Sequence, residues 1–405
     1  MMKTILTSSI TGILAITLYA GSVSASETLS DNVVRIGILT DMTGPYSSIQ
    51  GSGVVAAAKM AIEDFGGTIN GNPIELKVAD NKNDPDHSSS IARKWIDQDK
   101  IDLITGLGAS SVALAIQSLT KDKDVLVIAT GSGSTALTDS QCAKLGIRYT
   151  YSTRALAVGT AKAMMRDGPK SWYFLGVDYA FGKSMVKDAT AIIDELNGKV
   201  VDSVYYPLGT TDFASYVLQA QQSKADIVAL ANAGADFVNS AKSFHEFGFT
   251  KDGAQTLVGM LVLRNDVEAL GLDAAAGMQF TVPWFIDKDD ASREWAKRYQ
   301  EKTGTKPNWN NAGMYSAVMT YLKAVDEAGT DDPNIVREQL SRSKINDMFV
   351  ENGYIQKNGA MVHDMYLVEV LDKSQVGDDR DILQYVETIP GSESFIKTED
   401  TNCTY

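Results

Sequence analysis

The sequence predicts an α/β protein of two lobes, each built on a parallel sheet with helices on both faces. Three observations predict it. Short apolar runs alternate with helical patterns from Val33 onward. The same alternation starts afresh after Tyr151. At 405 residues the chain is too long for one ordinary core and suits two bodies of ~150–200 residues each.

In the first block, Val33–Leu39 reads as a buried strand, and Gly53–Phe65 as a helix with Val54, Ala58, Ala61, Ile62 and Phe65 on one face. Ile74–Val78 is the next strand, and a helix from about Ser88 carries Ile91, Trp95 and Ile96. Strand Ile101–Thr105, helix Ser111–Leu119 and strand Val125–Ile128 follow. The second block runs through strand Trp172–Val177, a helix to about Leu196, strand Val200–Tyr205, helix Phe213–Gln222, strand Asp226–Ala231 and helix Asp236–Phe247. Strands Leu257–Leu263 and Met278–Val282 close it. Helices Ser292–Lys302, Met314–Ala328 and Asn334–Ser341 and the late strand Tyr366–Val370 break the symmetry and must join one lobe or the other. No Pro/Gly/Ser-rich linker separates the blocks, which favours a tight hinge. A chain that crosses more than once makes a hinge able to close around a ligand.

The amino terminus points outside the cytoplasm. A basic start at Lys3, an uncharged apolar stretch from Ile5 to Ala20 and small residues at Val23 and Ala25 form a secretory signal peptide, cut after Ala25. A retained anchor is the alternative. The formal charge of −14 repels nucleic acid and anionic lipid. No later segment is long and apolar enough to span a bilayer. The two cysteines, Cys142 and Cys403, read as a disulfide in an oxidising compartment, with two free thiols as the alternative.

Candidate ligand contacts gather where strands end. Gly106–Ser111 follows a strand and opens a helix, so its backbone N–H groups and the hydroxyls of Ser110 and Ser111 suit a carboxylate; a simple helix cap is the alternative. At the same sheet edge, Gly131, Ser132 and Gly133 let a ligand approach bare backbone. In the second block, Tyr179 and Phe181 offer aromatic walls or helix packing, and Asp236 reads as an N-cap first and a ligand contact second. Arg154, past the first presumed crossing, can face the cleft and pair with a carboxylate or lie solvated on the surface. Asp80–Asp86 reads as a turn capping the next helix, since it lacks the Gly and terminal Glu of a calcium loop. The histidines His87, His245 and His363 are scattered, with no evident serine partner.

Gly37–Tyr46, Ala61–Gly67, Ser110–Ala115, Asp178–Gly182, Ala231–Gly234 and His363–Leu367 together resemble the solute-binding proteins of ABC importers of the branched-chain amino acid (Leu/Ile/Val-binding) type, nearest the aromatic and organic-acid branch. The resemblance implies a type I periplasmic-binding fold: two Rossmann-like lobes on a three-crossover hinge, with crossings near Tyr151, Val282 and Met361. Lobe 1 is then 26–151 plus 283–361, and lobe 2 is 152–282 plus 362–405, its tail tied back to lobe 1. The branch's late C-terminal Cys supports pairing Cys142 with Cys403. The resemblance places the ligand carboxylate at Ser110 or Ser111 and at Gly131, Ser132 and Gly133; Tyr46, Gln50 and Leu261 join the candidate set. Amino-acid binders of the family hold the ammonium with a lobe-2 acid where Met260 and Leu261 stand here, which points away from a zwitterion. Arg154 stands where the aromatic-acid branch often carries Tyr.

The expected function is a monomeric periplasmic receptor that closes on a small carboxylate, an aromatic or other organic acid or an apolar amino acid, and delivers it to an inner-membrane ABC permease. It does no chemistry, carries no cofactor or metal, touches no nucleic acid and is not embedded in a membrane. An exported hydrolase and a sensory subunit are the competing readings.

Overall fold

The computed structural model describes residues 29–168, 170–249, 255–377 and 381–405. The predicted leader, residues 1–25, lies outside them. The first body runs β1 (Val34–Thr40), α1 (Gly51–Phe65), β2 (Thr68–Ile69), β3 (Asn72–Asp80), α2 (Pro85–Asp97), β4 (Leu103–Gly106), α3 (Ser110–Thr120), β5 (Leu126–Ala129) and β6 (Gly146–Arg148). Its strands form one sheet in the order β2-β3-β1-β4-β5-β6, parallel except for the β2–β3 hairpin. The strands β4 and β5 are buried on both faces; β5 is wholly apolar, and Thr105 of β4 donates its hydroxyl to the Ile128 carbonyl at 2.7 Å. Helix α2 begins as the turn before it predicts: the Asp84 carboxylate accepts the N–H groups of Asp86 and His87, and Pro85 opens the helix.

The second body runs α4 (Thr153–Met164), β7 (Ser171–Val177), α5 (Ala180–Glu195), β8 (Lys199–Tyr206), α6 (Ala214–Ser223), β9 (Ile227–Ala231), α7 (Gly234–Glu246), β10 (Thr256–Gly259), α8 (Arg264–Leu270), α9 (Leu272–Ala275) and β11 (Gln279–Val282). A parallel sheet β10-β9-β7-β8 forms its centre. Helices α10 (Asp290–Thr303), α11 (Trp309–Ala328) and α12 (Pro333–Arg342) follow, then β12 (Tyr354–Ile355), β13 (Met361–Val362), β14 (Met365–Val370) and β15 (Leu383–Ile389). Helix α11 packs along α1 and so belongs with the first sheet. The chain passes between the two bodies on three segments, after Arg148, after Val282 and after Val362.

Several expectations are corrected. The strand predicted over Leu257–Leu263 ends at Gly259, and α8 follows. A Cβ at Gly259 would lie 2.4 Å from Val262 and 2.6 Å from Phe237, so the chain turns where only glycine fits, and the Asp266 carboxylate then caps α8 by accepting the Leu263 N–H at 3.0 Å. Strand β11 does not extend the parallel sheet; it pairs antiparallel with β14, which pairs with the unpredicted β15. Helix α11 starts five residues before the predicted Met314, because Asn308 and Asn311 cap it reciprocally.

Two covalent and ionic features bear on stability. Cys142 and Cys403 are joined, with Cα atoms 5.6 Å apart, which pins the carboxyl terminus to the first body. Removing the bridge by Cys142→Ser with Cys403→Ser should lower stability by about 2–4 kcal/mol in urea denaturation. Burial, with help from the negative charges of Asp331 and Asp31, pushes the Asp102 carboxyl up to about 7, although it accepts the Arg35 N–H at 2.7 Å. Between its unfolded value near 4 and pH 7 the folded state keeps a proton that the unfolded chain has released, so this group's contribution fades as pH rises. Asp102→Asn should therefore be about 1–3 kcal/mol more stable than the parent at pH 8 and match it at pH 4. Equal stability at pH 8 would show that the carboxylate ionises there without cost.

Candidate functional site

The turns that follow β1, β4 and β5 lie at one edge of the first sheet, and those after β7, β9 and β10 face them from the second. Between them is a narrow cleft whose walls nearly meet. The first body lines it with Tyr46, Ile49, Gln50, Gly108 and Gly131, and the start of α11 adds Trp309 and Asn310. Tyr151, on the first crossing, lines it too. Tyr179, Phe181, Ala233 and Leu261 come from the second body. No charged side chain is among these residues.

The turn Gly106-Leu107-Gly108 is sharp. Gly106 and Leu107 both have positive φ, 91° and 56°, and the second is a strained position for leucine. The bend brings bare backbone to the cleft: a Cβ on Gly108 would lie 1.8 Å from Gln50 Nε2, and one on Gly131 would lie 2.7 Å from the same atom. Gln50 is buried, its Oε1 accepts from Thr40 Oγ1 at 3.3 Å, and its Nε2 donates to no described residue. Helix α3 opens behind it from Ala109, which has no side-chain cap. This corner therefore presents an amide donor and the positive end of a helix.

The hydroxyls of this corner point elsewhere. Ser132 Oγ donates to the carbonyls of Leu107 and of Gly108 (3.2 Å for the latter), bracing one turn against the next. Ser110 Oγ accepts the Ser134 N–H at 3.3 Å. Neither these two, nor Ser111, nor Gly133, lines the cleft. Gly133 instead makes room for the Tyr151 ring, 2.2 Å from where a Cβ would sit, and Tyr151 donates its hydroxyl to the Gly131 carbonyl at 2.9 Å.

On the opposite wall, the Tyr179 hydroxyl meets the Tyr46 hydroxyl at 2.7 Å. Burial raises the Tyr46 and Tyr179 hydroxyls above the usual phenol range, so both stay neutral donors and acceptors. Phe181 packs beside Tyr179 at 6.3 Å between centroids. Asp236 is not the N-cap; Ala233 holds that position, and the Asp236 carboxylate accepts the Gly209 N–H at 3.2 Å. Burial pushes it up to about 6, while Gly209 and the Tyr206 hydroxyl pull it back. Arg154 sits in the first turn of α4, forms no ion pair with a described residue and does not line the cleft. Ile49, Tyr151, Trp309 and Asn310 also line the cleft, and no sequence motif marks them as ligand contacts; the Asn308–Asn311 pattern marks only where α11 begins. Asn310 is buried, donates Nδ2 to the Ile49 carbonyl at 3.3 Å, and leaves its Oδ1 without a partner.

The lobes touch all around this cleft. Ala235 N–H donates to the Pro45 carbonyl at 3.1 Å, and a side chain on the preceding Gly234, whose φ is 58°, would lie 2.7 Å from that oxygen. Trp309 Nε1 donates to the Val262 carbonyl at 3.2 Å, and Asn308 to Asn265 at 2.8 Å. Thr135 Oγ1 donates to the Asp188 carboxylate at 3.0 Å. These contacts join the two bodies across the cleft.

Residues 33–375 match the periplasmic binding protein family. A crystal structure of a periplasmic binding protein from Burkholderia mallei is 43% identical, with a TM-score of 0.89 over 92% of this chain and 99% of that one. A branched-chain amino acid ABC transporter periplasmic ligand-binding protein from Burkholderia xenovorans is 35% identical, with a TM-score of 0.81 over 91% and 99%. A solute-binding protein of an ABC transporter from Rhodopseudomonas palustris, solved with 3,4-dihydroxybenzoic acid, shares the fold at 21% identity and a TM-score of 0.80 over 89% and 98%. Among the described residues no helix is long and apolar enough to cross a membrane.

The hydroxyl pair makes a test of closure. Replacing Tyr179 by Phe removes one hydrogen bond that exists only when the lobes meet, about 0.5–1.5 kcal/mol, or a ~2–12-fold shift toward open forms. Small-angle scattering of ligand-free Tyr179→Phe should show a larger radius of gyration than the parent; an unchanged radius would mean that the pair does not hold the lobes together.

Proposed function

The chain belongs to the periplasmic binding protein family, as a ligand-binding protein of the ABC-transporter type, and from that premise we propose that it captures a small carboxylate with an aromatic or apolar body. The carrying observation is the lining of the cleft: aromatic walls, one carboxamide, bare backbone at a helix start, and no charged side chain. An ammonium group enclosed here would lack an anion, because Leu261 lines the wall where an acid would be needed. A carboxylate fits better, held by Gln50 Nε2 and by N–H groups at Gly108 and the start of α3. Ser110, Ser111, Ser132 and Gly133 shape the turns that carry those donors; Tyr46, Tyr179, Phe181, Tyr151 and Trp309 flank the body of the ligand. Asn310 Oδ1 offers an acceptor to a hydroxyl on the ligand. The Rhodopseudomonas protein, solved with a dihydroxybenzoate, supports this reading by analogy.

The lobes, 26–151 with 283–361 and 152–282 with 362–405, swing together on the three crossings, and the closed monomer docks on an inner-membrane permease that hydrolyses ATP on its far side. Asp236 and Arg154 act from outside the contact layer. Export and cleavage after Ala25 place the protein in the periplasm. Hydrolysis is disfavoured by the histidines: His363 Nδ1 and Nε2 face the carbonyls of Asp364 and Thr150 at 2.7 and 2.8 Å, and His87 faces the Asp80 carbonyl.

A thermal-shift screen across benzoates, aliphatic acids, amides and amino acids tests the ligand class. A ligand at 100 times its Kd adds ~2.7 kcal/mol of stability. Benzoate-type acids should raise the melting temperature and zwitterionic amino acids should not; the reverse order sinks the reading. Gln50→Ala should weaken the best acid about tenfold, a change near 1.4 kcal/mol, in calorimetry.

A further inference from the structure

A second cavity lies beside the hinge, independent of the cleft and of how the cleft is read. Arg148 is the last residue of β6, just before the first crossing, and its side chain is 4% exposed. Its guanidinium makes no hydrogen bond and no ion pair with any described residue, and Nε and Nη1 are sealed from solvent. The Phe395 ring lies 6.0 Å from Cζ. The Asp188 carboxylate raises its basicity, but that carboxylate is held by the hydroxyls of Thr135 and Thr153. Desolvation lowers the guanidinium to about 10, which still leaves it charged at neutral pH. A buried cation with its donors unpaired is costly, and the cost is relieved by a partner of opposite sign.

The cavity against Arg148 has room for one water-sized occupant. Thr138 and Ser152 supply hydroxyls. Thr138 Oγ1 bonds no described residue, and Ser152 Oγ accepts the Ala155 N–H at 2.9 Å, which leaves its own proton to donate. Asn358 is occupied, donating to the Thr138 carbonyl at 2.8 Å and accepting from Ala360 N–H at 3.2 Å. One carboxylate borders the space, that of Asp139, whose Oδ1 is held by the Asn402 N–H at 2.6 Å and by Asn402 Nδ2 at 3.1 Å. Ile396 and Thr401 of the disulfide-pinned tail cover it.

We propose that Arg148, Thr138 and Ser152 form a buried site for one small inorganic anion of halide size at the hinge. Charge selects an anion over water, since water leaves the guanidinium with no negative partner in direct contact. Size excludes carboxylates and phosphate. The walls come from the first body, the first crossing, the segment before the third crossing and the tail, so the anion ties the hinge strands to one another. The tail is its lid, so the site depends on the Cys142–Cys403 bridge.

The test uses the mature protein at constant ionic strength, with bromide replacing methanesulfonate. The melting temperature should climb with bromide. Thr138→Val should need at least tenfold more bromide for the same rise, and Arg148→Met and Cys142→Ser with Cys403→Ser should not respond. Crystals grown in bromide should show an anomalous peak between Arg148 and Thr138. If Arg148→Met does not fold, the Thr138→Val comparison and the anomalous map still decide. A melting temperature flat in bromide, identical responses in parent and Thr138→Val, or a cavity holding water only would each overturn the site.

Discussion

The contact between the Tyr46 and Tyr179 hydroxyls is the point on which the cleft depends, because it joins the two bodies where the cavity lies. Each ring comes from a different sheet edge, and neither body alone encloses the space. The Ala235–Pro45 backbone bond and the Trp309–Val262 and Thr135–Asp188 contacts close the remaining sides. All are neutral or singly charged hydrogen bonds of modest net strength, and the proposed opening would break them together. That combination suits a clamp: many weak contacts give a closed form that a ligand can tip by a few kcal/mol.

The donor corner shows how packing redistributes polar groups. Hydroxyl-rich turns after two strands look like a ready carboxylate cradle. In the folded chain those turns are buried against each other, and a buried hydroxyl takes the nearest carbonyl. Ser132 therefore braces Leu107 and Gly108, and Ser110 takes the Ser134 N–H. What remains facing the cleft is glycine backbone, the Gln50 amide and the uncapped start of α3.

The hinge is denser than three plain linkers. Its first and third segments are stitched by Arg148 N–H to the Gly359 carbonyl at 3.0 Å and by His363 to the Thr150 carbonyl at 2.8 Å. Burial lowers His363, although both its nitrogens face carbonyl oxygens. The tail then folds back over this junction under the disulfide.

Sequence alone determined the α/β class, the two blocks and most element positions, because buried parallel strands and amphipathic helices leave local periodic signals. It also marked Tyr46, Gln50, Gly131, Tyr179, Phe181 and Leu261, all of which the folded chain brings to one cleft. Only the tertiary structure decided that Asp236 holds Gly209 rather than capping α7, that β11 leaves the parallel sheet for β14, and that Trp309 and Asn310 reach the cleft from 260 residues beyond Ile49. Such pairings join residues far apart in the chain. A hydroxyl or carboxylate chooses its partner by what lies within 3 Å after packing, and no local pattern records that choice.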